Sequence, residues 1–183
     1  MAVKFRGYLG AALAALLLAG CAGAPPPPPR GPMGLPPIAG RSPQDLALEQ
    51  GLSEFYGAPY RSGGTTPAGV DCSGLILALY QRVGVNLPRT VAEQFNTGRP
   101  VDPGELRFGD VLFFNRYCQT RVRGPYLAGM LPPFYADDIC HNGIYLGEGR
   151  FVHASPRGVF VSRLDAETWR ISFKGARRYL SGY

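Results

Sequence analysis

The apolar residues of this chain change their period once, and that change constrains the fold more than any other feature. Between Ser42 and Glu93 they recur at helical spacing; from Val111 onward they come in short runs of strand length. Ser42-Pro43-Gln44-Asp45 reads as a helix start, with Ser as the cap, Pro in the first turn and an early acid. Leu48, Leu52 and Phe55 then share one face, and Gly57 is the stop. Residues 58–70, with Gly63-Gly64 and Pro67, read as turns. Asp71-Cys72-Ser73 opens a second helix through Leu75, Leu79 and Val83 that Gly84 closes, and Thr90 with Glu93 forms a capping box for a short third. Strands are predicted at 111–114, 144–146, 150–152 and 158–161, with a closing strand at 177–180. Helices first and strands second predict an α+β domain, its antiparallel sheet packed on N-terminal helices.

That domain is expected to span residues 44–183, because what precedes it has a different composition. Lys4 and Arg6 stand before an apolar run from Tyr8 to Gly20, which is shorter than the roughly 20 residues a membrane span needs. Residues 1–20 therefore read as a secretory signal. Leu18-Ala19-Gly20-Cys21 resembles the lipobox of bacterial lipoproteins, which implies that Cys21 is lipidated and anchors the chain to a membrane. Between residues 22 and 43 fall nine of the 18 prolines, so 21–43 is expected to be an extended spacer reaching roughly 70 Å at most. The expected location is the bacterial cell envelope, with the domain facing the periplasm, on the outer membrane. With 45% hydrophobic residues the chain can bury a core, which excludes wholesale disorder. Its net charge of +6 is scattered rather than striped, so no nucleic-acid partner is expected.

Four cysteines are too few for a disulfide scaffold, and each has a different neighbourhood. Cys72 begins a helix, where backbone N–H groups and the helix dipole favour a thiolate, so a lowered thiol pKa is expected. The two histidines, His141 and His153, flank a glycine-bounded turn around Glu148 that reads as a hairpin. A three-residue loop sets Leu146 opposite Arg150 and Gly143 opposite His153. His141 and His153 are then diagonal neighbours on one face, roughly 7 to 8 Å apart. A two-residue loop would send them to opposite faces. Cys72, His141 and His153 could supply a nucleophile, a base and a third group that orients the base. Spacing alone leaves open two unrelated histidines. It matches no zinc signature, and neither metal nor cofactor is expected.

Six motifs occur in order: Pro59-Tyr60-Arg61-Ser62-Gly63-Gly64, Asp71-Cys72-Ser73-Gly74, Leu87-Pro88-Arg89, Gly109-Asp110-Val111-Leu112-Phe113-Phe114, His141-Asn142-Gly143-Ile144-Tyr145-Leu146-Gly147 and Phe151-Val152-His153-Ala154. Together with Ala176-Arg177-Arg178 they resemble the NlpC family of bacterial cell-wall cysteine peptidases over about residues 45–182. The resemblance implies a papain-like α+β fold and hydrolysis of a peptide bond in peptidoglycan stem peptides through an acyl-enzyme. It implies Cys72 as nucleophile, His141 as base and His153 as the orienting residue. Tyr60 is implied to lie by the nucleophile, and Asp71 and Ser73 to contact the stem. His141 is expected to hold the thiolate as an imidazolium, and the Cys72 backbone N–H to serve as an oxyanion donor. The lipoprotein front end is similar to that of outer-membrane murein endopeptidases of this family.

The chain departs from the family pattern in two places. Asn142 replaces a small apolar residue and is expected on the strand face opposite His141. Residues 115–140 form an insertion carrying Arg116, Tyr117 and further basic and aromatic residues, a candidate lid and a docking segment for a regulatory protein. Cys118 and Cys140 bracket it, and strand alternation turns Cys140 away from His141, so a Cys118–Cys140 disulfide is expected. Two other functions stay open: a papain-like acyltransferase or amidase, and a non-catalytic wall-binding lipoprotein.

Overall fold

The computed structural model describes residues 41–118 and 139–180. The expected signal segment, Cys21, the spacer up to residue 40 and insertion residues 119–138 lie outside the described residues. Helix α1, Pro43–Phe55, starts on a reciprocal cap: Asp45 N–H donates to Ser42 Oγ and Ser42 N–H to the Asp45 carboxylate. Helix α2, Cys72–Arg82, is capped by Asp71, and α3, Val91–Phe95, by Thr90 with Glu93. α1 crosses α2 at Gly51, where a Cβ would come within 2.6 Å of Leu79 Cδ2. The segment read as turns also holds a small hairpin, β1 (Thr65–Thr66) with β2 (Gly69–Val70).

The main sheet has six antiparallel strands: β3 (Arg99–Val101), β4 (Val111–Phe114), β5 (His141–Gly147), β6 (Arg150–Ser155), β7 (Gly158–Arg163) and β8 (Phe173–Arg178). They lie in the order β3-β8-β4-β5-β6-β7. The α+β expectation holds, and so does the packing of the helices on one sheet face. Leu48, Leu52, Phe55, Leu75, Ile76, Leu79 and Tyr80 bury against Val111, Phe113, Ile144, Leu146 and Val152. The other face buries Leu112, Phe114, Phe151, Ala176 and Trp169, the last from a short helix α4, Glu167–Arg170. β4 is thus covered on both faces, which is why it reads as an unbroken apolar run rather than an alternation.

Two expectations about strands are corrected. The closing strand runs over Phe173–Arg178 rather than 177–180, because Arg178 must reach back to Asp110. That buried carboxylate accepts from Arg178 Nε at 2.7 Å and Nη2 at 2.6 Å and from Arg107 N–H at 2.8 Å. The second correction is the hairpin. Gly147 pairs with Arg150, so the loop is the two residues Glu148-Gly149, both left-handed at φ 53 and 68. A two-residue loop alone would part the histidines. A bulge at Leu146 reverses that: the register shifts between Tyr145 and Gly147, and beyond it Tyr145 pairs with Phe151 and Ile144 with Val152. The bulge restores the register of a three-residue loop, and His141 and His153 share a face.

Candidate active site

Each residue of Asp71-Cys72-Ser73-Gly74 has a separate structural task. The Asp71 carboxylate accepts from Gly74 N–H at 2.7 Å, capping α2, and from Gly63 N–H at 2.7 Å, holding the glycine turn against the helix start. Arg89 binds the same carboxylate at 2.6 Å and donates to Ser73 Oγ at 2.8 Å. Burial alone would raise the Asp71 pKa, but Arg89 and the two backbone donors hold it below the usual carboxylate value. Gly74 admits the turn: a Cβ there would sit 2.1 Å from Gly64 O. Tyr60 bridges to Val70 beside this cluster. Its phenol is pushed up by burial, then by Cys72 and Asp71, so it stays protonated.

Cys72 is buried where two strands part company. The β5–β6 ladder runs from the turn to Ile144↔Val152, while β6 stays with β7 as far as Ser155↔Gly158. Cys72 meets the start of β5 there: its Sγ lies 3.9 Å from the Cys140 carbonyl, and the Asn142 N–H faces the sulfur. The residues on both sides of His141 thus touch the nucleophile candidate. His141 Nε2 lies 3.0 Å from His153 Nδ1, which leaves His141 Nδ1 for the thiol. Gly143 permits the pairing, since a Cβ would lie 3.0 Å from His153 Cβ and 2.6 Å from Val152 O.

The pair is enclosed by rings. Trp169 lies 5.7 Å from His141 and 4.7 Å from His153, centroid to centroid, and Tyr117 sets its edge on His141 at 5.1 Å. Arg116 stacks over Tyr117 and Trp169. Burial, then His153 and Arg116, push His141 well below the usual imidazole value. Burial, then Arg157 and Arg116, bring His153 down to about 3. The lowered thiol expected for Cys72 is corrected: burial, then the Asp71 charge, push it up to about 11, outweighing the N–H groups of Ser73, Asn142 and Cys72 itself. The resting site therefore holds a neutral thiol beside neutral imidazoles, not an ion pair.

Cys118 and Cys140 are disulfide-bonded with Cα atoms 5.2 Å apart, and Cys72 is the free cysteine among the described residues. Cys140 joins the base of the insertion through its sulfur and Cys72 through its carbonyl. In the chain-entropy view, a bond across 22 residues stabilises by about 3 kcal/mol. Adding a phosphine reductant to a Cys72→Ala protein should lower its urea midpoint accordingly; an unmoved midpoint counts against a formed bond.

The structure gathers Tyr60, Asp71, Cys72, Ser73, His141 and His153 into one site. Asn142 lies on the face opposite His141, as read from the sequence, but it is not idle. Its Nδ2 donates to Gln94 Oε1 at 2.6 Å, and Gln94 Nε2 donates to the Ser73 carbonyl at 3.1 Å. Sequence reading also missed Trp169, whose one signal was being the chain's single tryptophan, and Ser162, which had none.

Helices packed on an antiparallel sheet, with the free thiol at a helix start, make up a papain-like α+β arrangement, and NlpC/P60 structural neighbours share it. Within that class, residues 57–178 match the NlpC/P60 family, and the chain belongs to it. It is 37% identical over 170 residues to "Probable endopeptidase NlpC" of Escherichia coli strain K12, covering 91% of this chain and 95% of that one. It is 34% identical over 131 residues to "Murein DD-endopeptidase MepS/Murein LD-carboxypeptidase" of the same strain, covering 70% of this chain and 60% of that one. Several relatives are thus matched over less than two thirds of their own length. Among solved structures, an NlpC/P60 family protein from Bacillus cereus ATCC 10987 superposes with a TM-score of 0.61 at 29% identity, covering 77% of this chain and 42% of that one.

Proposed function

We propose that this protein is a cysteine endopeptidase that cleaves peptide bonds in peptidoglycan stems through an acyl-enzyme. One observation carries the reading: Cys72 lies against the residues flanking His141, whose far nitrogen is held by His153. As Sγ attacks the scissile carbonyl carbon, its proton passes to His141 Nδ1. The Cys72 backbone N–H is the oxyanion donor. Collapse breaks the C–N bond, and the leaving amine takes the proton from His141. Water, deprotonated by His141, then splits the thioester and restores the thiol. The ionised Asp71, the Ser73 hydroxyl and the protonated Tyr60 bind the stem. The wall as substrate class is supported by the relative whose name states a murein activity. A lipid anchor at Cys21 would hold the domain in the cell envelope facing the periplasm, and the 115–140 insertion would be the docking segment for a regulatory protein.

The test is digestion of purified sacculi and soluble muropeptides by the native chain and by Cys72→Ala, with products identified by mass. Shortened or uncrosslinked stems released by the native protein alone support the reading. Sacculus binding by both without any product would sink it and leave a wall-binding module.

A further inference from the structure

Behind the histidine pair the chain of contacts does not end. His153 Nε2 lies 2.9 Å from Ser162 Oγ. β7 delivers this serine by register: His153 pairs with Phe160 and Phe151 with Ser162, so Ser162 is diagonal to His153 on the same sheet face. We propose that Ser162 is a positioning residue that fixes the proton arrangement of both histidines, so that His141 faces Cys72 as a base.

The three side chains allow two arrangements. In one, Ser162 donates to His153 Nε2, His153 Nδ1–H donates to His141 Nε2, and His141 carries its own proton on Nδ1. That His141 meets the thiol with a donor and cannot take a proton. In the other, His141 Nε2–H donates to His153 Nδ1, and His153 Nε2–H donates to Ser162 Oγ. Only this second arrangement leaves a lone pair on His141 Nδ1.

The choice disappears once the thiol proton arrives. His141 then carries N–H on both nitrogens, so His153 must accept at Nδ1 and donate from Nε2. The hydroxyl oxygen of Ser162 is the acceptor for that second donor. An interaction compulsory in the charged state but optional in the resting one acts on turnover rather than on substrate affinity. Ser162 reaches the reaction only through two rings, so substrate binding is not its business.

This inference rests on the proposed peptidase reading for its kinetic arm alone. With two histidines in the chain, nitrogen-15 spectra of a tag-free, histidine-labelled native protein report two rings. Both are expected as Nε2–H tautomers at neutral pH, with His153 shifting to a mixture or to Nδ1–H in Ser162→Ala. On muropeptides, Ser162→Ala should lose roughly 10- to 100-fold in kcat with KM unchanged, and Ser162→Thr, which keeps the hydroxyl, should recover most of it. A native His153 protonated on Nδ1, or ring tautomers indifferent to Ser162→Ala, would overturn the proposal. A Thr variant as impaired as the Ala variant would do so too. Should the native protein cleave nothing, the peptidase reading falls while the ring signals still decide the role of Ser162.

Discussion

His141→Gln is expected to lower turnover at pH 7 by about four powers of ten, and the loss should shrink as the pH is raised. The reason lies in the buried thiol. With its pKa pushed up to about 11, Cys72 alone is ionised to roughly one part in 10⁴ at pH 7. The native site avoids that penalty by handing the proton to His141 during attack, so native turnover should stay flat while both groups are neutral. Without His141 the rate follows the thiolate fraction and climbs about tenfold per pH unit toward 11. Cys72→Ala, lacking the nucleophile, should show no such recovery at any pH. Because the two residues act on one step, Cys72→Ala with His141→Gln should be no worse than Cys72→Ala. The measurement is a pH–rate series on one purified muropeptide. If His141→Gln keeps more than a tenth of native turnover at pH 7, His141 is not the base. If its rate is flat with pH, the thiol is not the buried neutral group described above.

Much of the fold was legible because the physics that sets it is local. Ser42-Pro43-Gln44-Asp45 and Thr90 with Glu93 announce helix starts through caps that satisfy their own backbone donors. The apolar run of β4 announces a strand buried on both faces. What escaped is what tertiary context decides. β3 contains Pro100 and was invisible as a strand; it survives as an edge, where a missing N–H costs no ladder bond. β8 is half basic, and its position is set by Arg178 closing on Asp110 and Arg177 on Phe95, contacts distant in sequence.

At the site, the sequence marked the residues that react but not those that hold them. Cys72, His141 and His153 stand in motifs; Ser162, Gln94 and Trp169 matter only because the sheet register, α3 and α4 bring them in. A three-residue loop is what the sequence predicts for the shared face of the histidines, whereas the structure reaches that face by a two-residue loop and a bulge at Leu146 that no local signal announces. The lowered thiol pKa expected from the helix start fails for a related reason. A helix start is visible in sequence, whereas the burial that outweighs it is a property of the assembled core.

The same burial predicts that mild acid destabilises this domain before most of its carboxylates are protonated. His141 and His153 are both depressed in the folded state, so below the unfolded value of 6.5 the unfolded chain takes up protons that the folded chain refuses. Stability is then complete above about pH 6.5 and falls as the pH drops, by about 1.4 kcal/mol per unit for each uncharged histidine. For His153, with its folded value near 3, the loss reaches about 3 kcal/mol at pH 4.5; His141 adds a loss of the same sign. The loss from His153 alone is a sizeable part of the roughly 5 to 15 kcal/mol that holds a typical domain. Asp71 joins in only lower, as the pH falls through its depressed folded value and its contacts with Arg89, Gly63 and Gly74 are lost. Urea unfolding of the native chain at pH 7 and pH 4.5 should show a pronounced drop in midpoint. His153→Gln, though less stable at pH 7, should show a drop smaller by the histidine's share. Equal drops in the two proteins would mean that His153 is not held neutral by its surroundings, and with that the resting state of a neutral thiol beside neutral imidazoles would have to be given up.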